Sequence, residues 1–349
     1  MKYILPLALL FFIFSCSNDD DDRISGLEND PDWGIPSSEV MDGGPGKDGI
    51  PSIDDPNFTS TNSVDFLNDD DLVIGIYNGG AVVAYPHPIL DWHEIVNDQL
   101  DDMSYALTYC PLTGTAIAWD RSLSSGNSTF GVSGKLYNNN LIPYDRETDS
   151  YWSQLTMSCV NGPLLGEEIN TFPIIETTWK TWKRMFPVSI VLNEDTGFSR
   201  DYDRYPYGDY KTNNNRIIFP LNPDDQRLPR KQRVLGLIED YGQKVYSLEL
   251  FETPRAIHDT VGEQEILILG SKEDNLILSF ENTIGLLDFQ VDFSRFPEVG
   301  RDANDNVLDI RGFVRSGPLA GEQISKPNAF MGYFFAFGAF NENIEIYND

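Results

Sequence analysis

The sequence predicts a mainly β protein, a β-rich α+β fold, made of two internally duplicated halves packed about a pseudo-twofold axis. Three observations lead there. Short runs rich in β-branched and aromatic residues recur between Gly, Asn, Asp and Pro, which is the pattern of strands bounded by turns. A long stretch of the chain matches itself at a fixed offset, the mark of a repeat. Apolar positions at helical spacing are sparse.

In chain order, the first half, residues 65–224, carries strand patterns at 72–77, 81–85, 104–109 and 115–119. One helix is expected over 89–96 and another over 178–185, where Trp179, Trp182 and Met185 share a face. The second half, residues 225–349, repeats the strand patterns at 234–238, 265–269 and 276–280. Gly75 within Leu-Val-Ile-Gly-Ile matches Gly236 within Arg-Val-Leu-Gly-Leu, an offset of 161 residues. The same offset holds without a gap through Tyr85 and Tyr246, Asp98 and Asp259, and Trp119 and Phe280. Further on, the run from Gly162 to Ile169 matches the run from Gly317 to Ile324 at an offset of 155, so the second copy is six residues shorter. That offset also sets Trp179 and Trp182 against Phe334 and Phe337. Each half is long enough to hold a core of its own.

Ahead of the halves, residues 1–15 read as a signal peptide and 16–64 as an acidic, Gly/Pro-rich tether and loop. The apolar stretch 4–14 is too short to span a bilayer but suits a signal-peptide core. It ends in Ser15-Cys16, which resembles the lipobox of bacterial lipoproteins. Lipidated Cys16 would then anchor the mature chain in the outer membrane of the cell envelope, periplasm-facing or surface-exposed. Four consecutive aspartates, Asp19 to Asp22, are too charged to pack and read as a solvated spacer.

The chain has 25 basic and 55 acidic residues, a formal charge of −30. Such a field repels phosphate backbones, so nucleic acid is excluded as a partner class. A cation or a neutral small ligand or protein partner fits better. Two cysteines remain after processing, Cys110 and Cys159. An oxidising compartment favours pairing them where geometry allows; unpaired, they would be candidates for metal ligation or thiol chemistry.

Several phrases resemble a family of uncharacterised proteins, DUF3179. They are Gly43-Gly44-Pro45-Gly46-Lys47-Asp48-Gly49-Ile50-Pro51, Ala84-Tyr85-Pro86 followed by His93-Glu94-Ile95-Val96-Asn97-Asp98, Thr108-Tyr109-Cys110-Pro111-Leu112-Thr113-Gly114-Thr115-Ala116, and Phe130-Gly131-Val132-Ser133-Gly134 running on to Tyr144-Asp145-Arg146-Glu147-Thr148 and Trp152-Ser153-Gln154. The resemblance covers most of the mature chain and supplies no reaction. Many relatives carry Cys-Pro-Leu-Cys, where this chain has Thr113 in place of the second Cys. That argues against a Cys-x-x-Cys redox pair or a four-sulfur zinc site.

The repeat separates structure from chemistry. Positions kept in both copies, such as Gly75, Tyr85 and Asp98, serve the fold. At the places of His87, His93, Glu94 and Cys110 the second copy has Leu248, Pro254, Arg255 and Ser271. The reactive set therefore belongs to the first copy alone. Imidazole and thiolate suit Cu(I) or Zn(II), with His87, His93, Cys110 and Cys159 or Met157 as ligands and Glu94 or Asp98 behind an imidazole. The same residues would equally form a Cys–His nucleophile pair, His93 activating Cys110 and Glu94 or Asn97 holding the ring. The bland readings are a loop histidine between Pro86 and Pro88, a helix-capping His93 and a buried or disulfide Cys110. Asp145-Arg146-Glu147 reads as a local ion-pair turn, and the loop over residues 42–56 as a linker, since it lacks both phosphate-loop and calcium-loop patterns. Two functions from different classes follow: a metal-binding or thiol-dependent protein centred on Cys110 and His93, or a non-catalytic extracellular binding module for a partner or glycan.

Overall fold

A computed structural model describes residues 30–348, so Cys16 and the leader lie outside the described residues. The chain is mainly β, and the described residues include three short α-helices: α1, His87–His93; α2, Trp179–Met185; and α3, Phe334–Phe340. Among the described residues no helix is long and apolar enough to cross a membrane.

The first half and the segment before it contain three larger sheets, besides the two-stranded hairpin Ser122–Leu123 with Gly126–Asn127. In one, the strands order as Ile175–Thr178, Leu72–Asn78, Ala81–Pro86, Ile190–Leu192 and Phe58–Ser60. A second is the meander Ile95–Leu100, Met103–Cys110, Thr115–Asp120, with Thr171–Phe172 on its edge. The third runs Val40–Asp42, Phe130–Tyr137, Asn140–Asp145, Tyr151–Ser153, Ser158–Asn161.

The second half has a similar order with one strand fewer in each sheet. Ala329–Tyr333, Arg233–Glu239, Gly242–Ser247 and Glu345–Ile346 form one sheet, Arg255–Val261, Gln264–Ser271 and Leu276–Glu281 a meander, and four short strands from Gln290–Val291 to Val314–Ser316 a third. The registers correspond as well. Gly75 faces Ala84 and Ile175, while Gly236 faces Val245 and Phe330. Both halves contain a parallel pairing, Ile190–Leu192 on Ala81–Pro86, with Phe58–Ser60 antiparallel beyond it, and Glu345–Ile346 on Gly242–Ser247 at the sheet edge. Asp98 accepts from Tyr85 Oη at 2.5 Å and Asp259 from Tyr246 Oη at 2.8 Å, a part-buried tyrosine–carboxylate contact at matching places in the two halves. Asp98 therefore holds strands together and supports no imidazole.

The helix expected over 89–96 ends earlier, because the chain turns at Glu94 and enters strand Ile95–Leu100. The second helix falls where its aromatic face predicts, with Thr178 as its N-cap accepting from Thr181 N. Each half has a core of its own, one around Ile74, Tyr85 and Leu107, the other around Leu235, Tyr246 and Ile268. Two further clusters draw on both halves, joining Trp179 and Trp182 to Leu267 and Phe280, and Trp119 and Trp152 to Phe334 and Phe337.

Between Ile190–Leu192 and Arg233–Glu239 the chain makes no strand or helix, yet it is firmly held. Hairpin residues Asn138 and Asn139, both at positive φ, turn their amides onto this linker. Asn138 Nδ2 donates to Asn222 O at 2.8 Å and Asn139 Nδ2 to Phe219 O at 3.0 Å, with the return bonds to Asn222 N and Phe219 N. Tyr210 Oη donates to Leu112 O at 2.9 Å, and Lys231 Nζ is held by the carbonyls of Tyr210, Asn213 and Arg216. The linker thereby lies over the end of the first-half meander.

Candidate ligand cleft

Cys110 ends strand Met103–Cys110, and Glu94 closes α1. Both line a cleft of about 410 Å³. Its apolar walls come from three separate stretches: Leu112 and Trp92 from the body, Tyr207 and Phe219 from the linker, and Pro45 and Ile50 from the loop 42–56. Exposed Arg200 and half-buried Lys135 stand among its lining residues, the positive charges of an otherwise acidic site.

Loop 42–56 is an ordered wall, which corrects its reading as a linker. Arg146 reaches Asp54 at 3.1 Å, Asp48 at 3.4 Å and Ser52 Oγ at 2.9 Å, and Tyr144 Oη donates to Asp48 at 2.6 Å. The Asp145-Arg146-Glu147 turn is thus a clasp on a distant loop and no merely local ion pair. Gly134 explains how closely the loop sits: at φ +77°, a Cβ there would meet the Gly46 backbone at 2.8 Å.

Glu94 has φ +58° and ψ −31°, a backbone that L side chains rarely adopt. Its N–H donates to Leu90 O at 2.8 Å and its carbonyl accepts from Tyr109 N at 2.6 Å, so the helix end and the strand together hold the strain. The carboxyl is buried and accepts from Tyr207 Oη at 3.2 Å. Burial raises it to about 7, helped by the charge of Asp91 and opposed by the tyrosine bond. Asp91 is itself raised by burial, although Lys211 bonds it at 2.7 Å. Cys110 is 1% exposed, and its Sγ donates to Asn139 O at 3.4 Å. Burial, and then the charge of Glu94, push this thiol up to about 11. At neutral pH it is a protonated donor and no nucleophile.

The remaining expected residues are elsewhere. His93 is fully buried with both ring nitrogens engaged, Nδ1 on Pro51 O and Nε2 on Tyr202 Oη, each at 2.7 Å. The carbonyl requires Nδ1 to carry the proton, so Nε2 accepts from the tyrosine. His93 is a satisfied strut between α1, the loop and the linker, and neither nitrogen faces Cys110. His87 lies with its ring 4.6 Å from that of Tyr109, and its Nε2 is 3.6 Å from Glu176 Oε2. Burial works against the Glu176 charge, but Arg233 and His87 hold its carboxyl down at about 2. Cys159 sits across from Trp152 in another sheet, its thiol on Asn161 O at 3.4 Å and raised to about 11 by burial.

Cys110 and Cys159 are both free, which leaves the unpaired alternative of the two that the sequence held open. The metal set of His87, His93, Cys110 and Cys159 is not gathered, and among the described residues no group of three or more His, Cys, Asp or Glu is placed to hold a metal ion. Of the expected site residues the fold unites Glu94 with Cys110 alone. Sequence reasoning missed Trp92, Tyr207 and Phe219. The only signal was the density of tyrosines at 202, 205, 207 and 210 in a stretch without strand pattern.

Comparison with curated proteins gives no match, and comparison with solved structures gives none either. Residues 47–344 match the family model described as a protein of unknown function, DUF3179. That span takes in most of the loop and of the cleft, the linker and nearly all of both halves, and the chain belongs to the DUF3179 family.

Proposed function

We propose that this chain is a lipid-anchored envelope protein whose first half binds a small molecule in the Glu94–Cys110 cleft. The ligand has an apolar body and a hydrogen-bond-donating or cationic end, which meets Glu94. One observation carries this reading: a buried carboxyl that exchanges its proton near neutrality is held by strained backbone at the polar end of an aromatic-walled cleft. The pattern favours the binding-module reading over metal or thiol chemistry, since the thiol is protonated and the imidazoles are turned away.

We read the two halves as copies of one unit, of which only the first retains a site. The repeated strand order and register support this. In the second half Ser271, the counterpart of Cys110, donates its Oγ to Asp274 at 2.7 Å, a self-contained turn.

The test uses benzylamine and benzyl alcohol as probes, followed by NMR shifts on the soluble body at pH 8. Saturable benzylamine binding that Glu94→Gln weakens at least tenfold, with benzyl alcohol binding little changed, supports the site. Absence of saturable binding by either probe, or benzylamine binding untouched by Glu94→Gln, overturns it. Anchoring is tested separately: Cys16→Ser abolishes lipid labelling in cells, and labelling that persists refutes the anchor.

A further inference from the structure

A second cleft, of about 790 Å³, lies where the two halves meet and is remote in sequence from Glu94 and Cys110. The segment from Leu155 to Pro173 forms one side, and Ile238 to Asp240 with Lys326 to Ala329 the other. Its walls are polar, with Glu168, Asn170, Glu239, Gln243 and Asn328 among them. Lys326 is the one lysine there, fixed between Ser325, whose Oγ bonds Glu281 at 2.6 Å, and Pro327.

Lysines in this protein are otherwise well supplied with partners where they are buried. Lys231 donates to three backbone carbonyls, and Lys244 pairs with Asp259 at 3.0 Å. Lys326 differs. Among the described residues its Nζ makes no hydrogen bond and no ion pair; it faces the rings of Phe280 and Tyr77, 5.3 and 5.5 Å from their centroids. Tyr77 already carries the guanidinium of Arg311 at 5.6 Å, so one ring serves two cations. Such a setting favours an uncharged amine, because ring faces replace little of the hydration that an ammonium loses. Burial accordingly lowers this amine to about 7, against the pull of the Asp309 charge. Lys326 is a half-buried residue on the wall of a roomy polar cleft, and an unpaired amine lowered toward neutrality there has the attributes of an imine-forming lysine.

We propose that Lys326 is a covalent capture site for a small hydroxylated aldehyde or ketone. The Nζ lone pair attacks the carbonyl carbon to give a carbinolamine. Loss of the former carbonyl oxygen as water, taking both amine protons, leaves the C=N bond, and no oxidant or reductant is consumed. The amide and carboxylate walls receive the hydroxyl groups. Nothing here depends on the Glu94 cleft.

The experiment treats the soluble body at pH 7 with glycolaldehyde and cyanoborohydride, which reduces an imine to a stable secondary amine, and maps the adducts by peptide mass spectrometry. Lys326 is expected to be modified at least tenfold faster than exposed Lys180. Lys326→Arg, which keeps a cation over the rings, is expected to remove that fast component while leaving the melting temperature within a few degrees. Even labelling across the lysines would overturn the proposal, as would a fast component that survives Lys326→Arg. Should the variant misfold, protection of Lys326 in the wild type by excess non-reducible erythritol supplies the second readout: protection supports the site, and unchanged Lys326 labelling refutes a polyol-accepting cleft.

Discussion

The negative charge of Glu94 holds the Cys110 thiol above the level that burial alone would set. Removing that charge lowers the thiol pKa and increases the thiolate fraction at a fixed pH. Glu94→Gln is therefore expected to speed alkylation of Cys110 by iodoacetamide at pH 8, by a few-fold, while Cys159 keeps its rate. Peptide mapping over a time course reads both sites, and an unchanged Cys110 rate in the variant would show that the two groups are not coupled.

Glu94 also links folding to pH. Its folded value of about 7 lies above the ordinary 4.5, so between these values the folded state binds more protons than the unfolded one. Stability is then fullest below about pH 4.5 as far as this group is concerned, and falls as pH rises toward 7. The raise corresponds to on the order of 3 kcal/mol. Glu94→Gln is expected to flatten this fall, so that the variant gains on the wild type at pH 8 and not at pH 4.5. Urea denaturation at the two pH values measures the difference, and equal gains at both would locate the cause outside this carboxyl.

Gly75 and Gly236 make the same demand on packing. A Cβ at Gly75 would lie 1.9 Å from Trp182, and one at Gly236 would lie 2.0 Å from Phe337. Each ring comes from the helix that follows the neighbouring strand, α2 in one half and α3 in the other. Gly75→Ala and Gly236→Ala are each expected to cost about 1–3 kcal/mol or more from overpacking. Combining Gly75→Ala with Trp182→Phe tests the contact directly: the double variant should lose less than the sum of its parts.

The strands were legible in the sequence because alternating and β-branched runs report burial in a sheet. Tyr85 and Asp98, kept in kind as Tyr246 and Asp259, read correctly as structural. The site was half legible. Absence from the second copy singled out Glu94 and Cys110, which share the cleft, but it singled out His87 and His93 equally. What decided between them lies far away in the chain: His93 is engaged by Pro51 and by Tyr202, 109 residues on. No local pattern encodes such a partner, since the linker folds through side-chain bonds to carbonyls and not through a ladder. The turn at Glu94 was equally hidden, because a positive φ at a glutamate has no propensity signal and exists only where tertiary contacts impose it.

Asn138 and Asn139 dock the linker through four hydrogen bonds to its backbone at Phe219, Asn222 and their surroundings, leaving its side chains uncommitted by that contact. Replacing Tyr207 or Phe219 therefore alters what the cleft admits without disturbing either sheet system. Descendants of this protein can diverge in ligand preference by drift in one strandless stretch while their barcode of paired cores stays unchanged.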